Sequence, residues 1–227
     1  MSKSKRLTDL STKVDIEKLY PIEEALTLAK EMATTKFDET VEVHVRLGID
    51  SKKGDQQVRG TVVLPNTFGK AKRVAAFVPE SREQEAKDAG ADVIYNEETL
   101  AKLKKTGKID FDIAVSVPEF MRTLAPLARM LGTKGLMPSP KNETIAQDLA
   151  KTIGELKKGK IAFKNDDTAN IHQAIGKAST DSDKLIANFE AFIEELRKSK
   201  PESSKGIFLK SVTLCTTMGP SMKLELK

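Results

Sequence analysis

The stretch Thr40-Val-Glu-Val-His-Val-Arg-Leu47 alternates apolar and polar residues without interruption. Successive side chains of a strand point to opposite faces, so strict alternation predicts a β-strand with one buried face and one face in water. The buried face would carry Val41, Val43, Val45 and Leu47, and the wet face Glu42, His44 and Arg46. We therefore expect a sheet whose outer side is polar.

Amphipathic elements accompany this strand on both sides along the chain. Upstream, apolar residues from Ile22 to Met32 recur at helical spacing, with two glutamates in the first turn, where the helix dipole favours acids. Downstream, a polar loop leads to a second strand predicted over Val58–Leu64. Alternation returns much later, at Ile161–Phe163 and Ile171–Ile175, and is followed by a predicted helix over Ser182–Lys198 and two final strands.

The middle of the chain has a different pattern. Short apolar runs at Val74–Val78, Val93–Tyr95 and Ile113–Val117 are separated by segments of helix length. Glycines stand where the two intervening helices should end, at Gly90 and Gly107. Strands that alternate with helices are typical of a parallel sheet covered on both faces. Two further helices are predicted, over residues 118–131 and 144–158.

These patterns predict an α+β protein of two domains. The outer domain, residues 1–67 and 160–227, would be a discontinuous α/β sandwich. Residues 68–159 would form an inserted Rossmann-like domain around a parallel sheet. The chain would cross between the domains at Asn66–Lys70 and near Gly159, and we expect these two crossings to form a hinge.

Composition narrows the class of partner and the compartment. The 227 residues carry a formal net charge of +5 with a sequence pI near 9.1, which favours polyanionic partners without proving them. The single cysteine, Cys215, excludes an intrachain disulfide and favours a reducing compartment, so we expect the cytoplasm. No apolar run is long enough for a bilayer, so no membrane association is expected. The basic stretch Met1–Arg6 is expected to be a solvated tail.

Catalytic and cofactor motifs are incomplete, and we predict no cofactor and no metal. Gly154–Lys160 has the spacing of a phosphate-binding loop, but Ile161 replaces the required Ser or Thr and the order of helix and strand is reversed. The dinucleotide glycine motif is missing after the first parallel strand. His44 and His172 are expected to be solvent-facing strand residues, and Cys215 a small hydrophobe in an apolar strand.

Two loops combine unusual residues. Leu131–Lys141 holds two glycines and two prolines around Leu136 and Met137, which predicts a stiff loop that presents basic and apolar side chains together. Thr216-Thr-Met-Gly-Pro220 joins the last two strands and offers hydroxyls, a thioether and a glycine that permits close backbone approach, all suited to RNA. Each loop also has a purely structural interpretation, as a connector between helices and as a hairpin turn.

Several blocks together resemble the bacterial ribosomal protein L1 family over essentially the whole chain. The loop Leu131–Lys141 resembles the family signature. The other matching blocks are Lys36-Phe-Asp-Glu-Thr-Val-Glu42, Val58-Arg-Gly60, Lys164-Asn-Asp166 and Thr216-Thr-Met-Gly219. One departure is that many bacterial members carry Pro-Arg where this chain has Thr133-Lys134.

The resemblance implies a large-subunit ribosomal protein whose outer domain binds a stalk helix of rRNA. It also implies repression of the protein's own operon through mRNA, contact with exit-site tRNA and a monomer when free. Carried over by position, the RNA surface would comprise Lys36, Phe37, Thr40, Glu42, Asp166, Thr168, Ser211, Thr217, Met218 and Gly219. A secondary contact loop would comprise Lys134, Gly135, Leu136, Met137 and Lys141.

Two alternatives remain open from the residues. A small-molecule enzyme could use a cleft between the domains, although the motifs for nucleotide, metal and nucleophile chemistry are missing. An mRNA repressor that acts away from the ribosome would share the same RNA surface and differ only in whether the protein sediments with large subunits.

Overall fold

The computed structural model of the protein describes residues 5–225. The α-helices in that range are α1 (Lys5–Ser11), α2 (Ile22–Met32), α3 (Glu83–Asp88), α4 (Glu97–Thr106), α5 (Met121–Leu124), α6 (Ala128–Thr133), α7 (Leu149–Lys157) and α8 (Ser182–Lys198). The strands are β1 (Leu19–Tyr20), β2 (Thr40–Leu47), β3 (Arg59–Val63), β4 (Val74–Phe77), β5 (Val93–Tyr95), β6 (Ile113–Ser116), β7 (Lys160–Lys164), β8 (Asn170–Lys177), β9 (Leu209–Thr216) and β10 (Met222–Leu224).

One compact unit combines the residues up to Gly69 with those from Ala162 onward. Its main sheet has the strand order β1-β10-β9-β2-β8, and β2 pairs antiparallel with both β8 and β9. The strand predicted over Thr40–Leu47 is confirmed with the same bounds. Its four apolar side chains are at most 1% exposed, and burial of each contributes about 1.5–3 kcal/mol.

Two helices cover the buried face of this sheet. The predicted helix from Ile22 to Met32 is confirmed as α2, and the helix predicted over 182–198 is confirmed as α8. They pack against each other, α2 against β9 and α8 against β8. Both helices have an apolar stripe, so the side chains that stabilise the sheet also fix the two helices on one side of it.

The second predicted strand forms as β3, but its partner is β7 and not the preceding strand β2. The Val58 N–H donates to Oδ1 of Asn165 at 2.8 Å, and the Asn165 N–H donates to the Val58 carbonyl at 3.0 Å. A side chain at Gly60 would collide with the ring of Phe163. Because Val58 faces Asn165 and Gly60 faces Phe163, the strands run in opposite directions. The end of β3 therefore lies beside the start of β7.

The second compact unit, Lys70–Ile161, contains the predicted parallel sheet. Its strand order is β5-β4-β6, and β4 pairs parallel with both neighbours. All four residues of β4 are buried, as expected for a central parallel strand covered on both faces. The two glycines predicted to end helices have φ values of +86° at Gly90 and +64° at Gly107. The α+β fold class with a parallel sheet is confirmed.

The helix predicted over 118–131 is interrupted. The segment forms a short 3-10 helix, α5, a second 3-10 helix over Ala125–Leu127 and then α6. Pro126 explains the break, because proline has no N–H to donate and its ring clashes with the carbonyl four residues earlier. The sequence pattern predicted helical residues here, but it does not report whether the hydrogen bonds run without interruption.

The helix predicted to begin near Thr144 begins instead at Leu149. The Thr144 hydroxyl accepts from the Ser139 N–H at 2.8 Å, and Ile145 forms a parallel bridge with Ser116 at the edge of the sheet. Asp148 then caps the helix by accepting from the Lys151 N–H at 3.0 Å. The first five residues of the predicted helix therefore have other partners.

The sequence patterns missed two elements near the N-terminus, α1 and the two-residue strand β1, which pairs parallel with β10. Met1–Ser4, most of the expected solvated tail, lie outside the described residues. Arg6, however, belongs to α1 and donates to the Met218 carbonyl at 2.5 Å and to the Thr34 hydroxyl at 3.3 Å. For Arg6 the expectation of a solvated tail was wrong.

Asn188 on α8 provides a test of this packing, because it is 1% exposed and makes three hydrogen bonds. Its amide donates to the carbonyls of Asn66 and Ile175, each at 2.8 Å, and accepts from the Asn66 N–H at 2.9 Å. Asn188→Ala should lower the free energy of unfolding by about 2–3 kcal/mol, because buried groups lose their partners. Urea unfolding measures the difference. Glu190→Ala, an exposed change on the same helix, should stay within about 0.5 kcal/mol; equal effects would contradict the assignment.

Candidate nucleic-acid interface

The outward side of the five-stranded sheet carries polar side chains in register across three strands, and we call it the open face. Opposite residues of neighbouring strands project to the same side. Glu42 pairs with Ala174 and Cys215, His44 with His172 and Thr213, and Arg46 with Asn170 and Ser211. All of these residues are half-buried or exposed. The open face is defined by Glu42, His44, Arg46, Asn170, His172, Ala174, Ser211, Thr213 and Cys215.

Two distant segments meet where β2 begins and β9 ends. The Thr217 hydroxyl accepts from the Thr40 N–H at 2.9 Å, and the Thr217 N–H donates to the Thr40 carbonyl at 3.0 Å. The Met218 N–H donates to Oε2 of Glu39 at 3.0 Å. These contacts join residues more than 170 positions apart in the sequence. Lys36, Phe37 and Thr40 thus lie on segments that adjoin Thr217, Met218 and Gly219, and we call these six residues the turn cluster.

The buried carboxylate of Glu39 lies beneath the turn cluster, and sequence analysis did not single it out. Glu39 is 1% exposed, and its carbonyl also accepts from the Ala178 N–H at 2.8 Å. Burial alone would raise the pKa of Glu39, but the neighbouring Thr216 hydroxyl and the Met218 and Thr35 groups bring it below its ordinary value. Among the described residues, Oε1 of Glu39 and the Thr216 hydroxyl do not reach regular hydrogen-bond geometry with any partner. Glu39 therefore joins three backbone segments, because its carboxylate holds Met218 and its main-chain carbonyl holds Ala178.

The turn cluster also exposes large apolar side chains. Phe37 is 54% exposed and Met218 is 50% exposed. Lys36 is exposed and forms no hydrogen bond or ion pair with a described residue. Exposed phenylalanine and methionine beside a cation form a surface that can contact sugar faces and a phosphate at the same time.

At the other end of β2, Asp166 organises the loop between β7 and β8. Its Oδ1 accepts from the Asn170 N–H at 2.7 Å and the Thr168 N–H at 2.9 Å, and its Oδ2 accepts from the Thr168 hydroxyl at 2.7 Å. Asn170 pairs with Arg46, so this loop borders the open face. Asp166 and Thr168, proposed from sequence as RNA contacts, therefore have a structural role within the protein.

The structure places the ten residues of the expected RNA surface on one unit, but not in one cluster. Six form the turn cluster, Glu42 and Ser211 lie on the open face, and Asp166 and Thr168 lie beyond its far end. From Thr40 to Arg46 the strand extends about 20 Å. The set is therefore a strip along β2.

The histidines lie in strands on the outward face of the sheet, as expected, but they form a connected group with Cys215 that changes the interpretation of the cysteine. Nδ1 of His44 lies 2.8 Å from Nδ1 of His172, and Nε2 of His44 lies 3.1 Å from Sγ of Cys215. Cys215 is on the half-polar open face and not in an apolar environment. Burial, and secondarily the charge of Glu42, raises the pKa of the Cys215 thiol to about 11, so the thiol stays protonated. The alternation around His44 showed its face but could not identify partners on other strands.

The secondary contact loop lies in the other unit, and its apolar side chains do not project as predicted. Leu136 and Met137 are half-buried and pack against that unit's core, so they anchor the loop instead of projecting from it. Lys134 and Lys141 are exposed. Gly135 has a φ of +70°, which a residue with a side chain rarely adopts. The loop therefore exposes two lysines, while Leu136 and Met137 hold it against the core.

Metal-binding clusters and membrane-spanning helices were both sought in the described part of the chain. Within residues 5–225, no three or more His, Cys, Asp or Glu side chains are arranged to hold a metal ion. No helix in that range is both long enough and apolar enough to cross a bilayer.

Asp166→Asn should destabilise the protein at neutral pH and much less in acid. The Asn170 N–H, together with Thr168 and His172, holds the pKa of the Asp166 carboxyl below its ordinary value, although burial opposes the shift. A lowered folded-state pKa contributes stability above the unfolded-state value of about 3.9, and that contribution is lost as the pH falls through the folded-state pKa. The side chain is 38% exposed, so we expect a loss of only about 1 kcal/mol at pH 7. Because the contribution is lost only as the pH falls well below the unfolded-state pKa, urea titrations at pH 7 and pH 2 test this, and an equal difference in the free energy of unfolding at both would contradict it.

Comparison with known proteins agrees with the sequence resemblance. The model of the family described as "Ribosomal protein L1p/L10e family" matches residues 29–220. A protein named "Large ribosomal subunit protein uL1" from Mycoplasma capricolum subsp. capricolum is 47% identical over 222 residues, which is 98% of either chain. Proteins of the same name from Macrococcus caseolyticus and Fervidobacterium nodosum are 46% and 43% identical over 223 residues, which cover 98% of this chain and 96% and 95% of theirs.

The matches are continuous over both compact units, so they concern the whole chain and not one shared domain. A family of ribosomal proteins is not a family of enzymes, and the alternative of a small-molecule enzyme is set aside on that ground. The resemblance predicted from sequence is confirmed. The chain belongs to the ribosomal protein L1p/L10e family.

Proposed function

We propose that the protein is a constituent of the large ribosomal subunit and binds rRNA at the mobile lateral stalk through the turn cluster and the open face. The observation that carries the proposal is the pair of exposed apolar side chains, Phe37 and Met218, on segments joined by the Thr40–Thr217 hydrogen bonds. A soluble protein has no structural need to expose both beside an unpaired lysine. An RNA partner would cover them.

The chemistry of the strip suits RNA more than DNA. Glu42 and Ser211 on the open face can accept hydrogen bonds from ribose 2′-hydroxyls, which DNA lacks. Arg46 is exposed and forms no ion pair with a described residue, so its guanidinium is available to a phosphate. Phe37 can stack on a base or cover a sugar, which excludes water and strengthens the polar contacts beside it.

The finer assignment follows the family resemblance. The protein would assist release of deacylated tRNA from the exit site through stalk motion, and would repress translation of its own operon by binding a similar site on its mRNA. The exposed Lys134 and Lys141 of the secondary loop would add weaker electrostatic contacts. When free it would be a cytoplasmic monomer. A repressor that acts away from the ribosome would not sediment with large subunits.

Phe37→Ala and Met218→Ala should each weaken binding to a stalk rRNA fragment. We expect a loss of about 1–2 kcal/mol for Phe37→Ala, roughly 5- to 30-fold in Kd, and a smaller loss for Met218→Ala. Both side chains are exposed, so the free energy of unfolding should change by less than about 0.5 kcal/mol. Electrophoretic shifts at constant salt and urea unfolding measure the two quantities.

The matched control is Val63→Ala. Val63 is 45% exposed and lies on β3 of the separate two-stranded sheet, outside the proposed surface. Its loss should leave the Kd unchanged within about twofold. If Phe37→Ala and Val63→Ala bind the RNA alike, the turn cluster is not the interface.

Deletion of residues 68–159 should leave most of the specific rRNA affinity intact. All ten proposed contact residues lie on the outer domain, proposed as residues 1–67 and 160–227. Because the end of β3 lies beside the start of β7, a short Gly/Ser linker can close the gap without strain.

Circular dichroism and cooperative unfolding must first establish that the deletion variant folds. We then expect a Kd within about tenfold of the full chain, because only the weaker electrostatic contacts are removed. A folded variant that no longer distinguishes stalk rRNA from an unrelated hairpin would overturn the assignment of specificity to the outer domain.

A further inference from the structure

Both histidines of the chain lie side by side in the middle of the open face. Their rings are 4.9 Å apart between centroids at an interplanar angle of 63°, and their Nδ1 atoms are 2.8 Å apart. A contact this short between two ring nitrogens requires one to carry a proton and the other to accept it. In this arrangement the two Nδ1 atoms therefore cannot both carry a proton.

The neighbours on each side determine which ring donates the hydrogen bond and which accepts it. Sγ of Cys215 lies 3.1 Å from Nε2 of His44, and Oδ2 of Asp166 lies 3.5 Å from Nε2 of His172. The Cys215 thiol remains protonated and donates, so we assign the His44 proton to Nδ1, which donates to His172. The His172 Nε2–H then points toward Asp166. Both rings are neutral in this arrangement, and every polar hydrogen has an acceptor.

The surroundings determine where a proton would be added. On β2, Glu42 and Arg46 flank His44 with opposite charges. Lys223 of β10 lies across β9 from His44, since both pair with Thr213. Burial, and secondarily His172, lowers the pKa of His44, while Glu42 opposes the shift. His172 is 54% exposed and faces Asp166. Because the two rings share one hydrogen bond, the pair as a whole can take up a single proton, and repulsion between the rings opposes a second.

The position of the pair places it under any RNA that contacts both ends of the strip. Glu42, His44 and Arg46 follow one another on the outward face of β2. Ser211 lies opposite Arg46, so proposed RNA contacts flank His44 on both sides. A backbone that reaches from the turn cluster to the loop of Asp166, about 20 Å away, must pass over the two rings. A phosphate there would favour the charged form of an imidazole.

We propose that the His44–His172 pair is a further RNA-contacting element that takes up one proton when RNA binds and donates to a backbone phosphate in its singly protonated form. This inference rests on the proposed RNA-binding function of the same face. A group that is charged more readily in the complex makes binding tighter as the pH falls through its free-state pKa. Affinity should therefore rise from pH 8 to pH 6.

The experiment uses the full chain and a stalk rRNA fragment in isothermal titration calorimetry at pH 6 and pH 8, in two buffers of different ionisation enthalpy at constant salt. For the natural sequence we expect uptake of up to about one proton and a Kd roughly five- to tenfold tighter at pH 6. The double variant His44→Gln/His172→Gln keeps polar side chains but cannot titrate. Whatever its affinity at pH 8, it should bind RNA with no proton uptake and with a Kd that changes little between pH 8 and pH 6.

Arg46→Gln is the matched control, because it removes a charge from the same face without removing a titrating group. It should weaken binding at both pH values and preserve the difference between them. The proposal is overturned if the natural protein binds RNA with no proton uptake, or if the double variant retains the pH dependence. Either result would leave the proposed function intact. Absence of RNA binding at both pH values would instead refute the proposed function itself.

Discussion

The pairing of β2 on both of its edges is the constraint on which the rest of the outer unit depends. Its partners β8 and β9 follow more than 120 residues later in the chain. Such pairings carry a large cost in chain entropy before they contribute hydrogen bonds. The alternation of β2 offsets this cost, because only one register buries Val41, Val43 and Val45 together. A shift of one residue would expose all of them.

This register also determines which residues share the proposed interface. It joins Thr40 to Thr217, opposes His44 to His172 and sets Arg46 beside Ser211 and Asn170. The pairing shifts between Val41 and Glu42 against β8, which is a local irregularity next to the turn cluster. Glu39 then fixes the approach to β2 by accepting the Met218 N–H with a buried carboxylate. The arrangement of the proposed interface is thus a consequence of strand register and one buried acid.

Sequence reasoning succeeded where the signal is local and periodic. The alternation of β2, the spacing of α2 and α8 and the glycines after α3 and α4 each report on a few adjacent residues, and their elements are found as predicted. It failed where a distant partner decides. Ile145 lies outside a helix because it bridges to Ser116 at the edge of the parallel sheet, and β1 forms by pairing with β10 near the other end of the chain. Leu136 and Met137 were expected to project, but contact with the core of their unit makes them half-buried, and the local sequence does not show that contact.

The structure separates the expected interface residues into those that the fold itself uses and those that it leaves free. Thr40 and Thr217 bond each other, and Asp166 and Thr168 bond within one loop. A side chain at Gly219 would collide with the Thr216 hydroxyl, so this glycine is needed for packing regardless of RNA. The side chains of Lys36, Phe37, Met218 and Arg46 have no such internal role among the described residues. A motif residue can therefore be needed either for the fold or for binding a partner. Recognising the motif alone does not distinguish these two reasons. A rigid frame lowers the entropy lost when the free side chains bind a partner, so residues of the first kind would contribute to affinity without contacting the RNA.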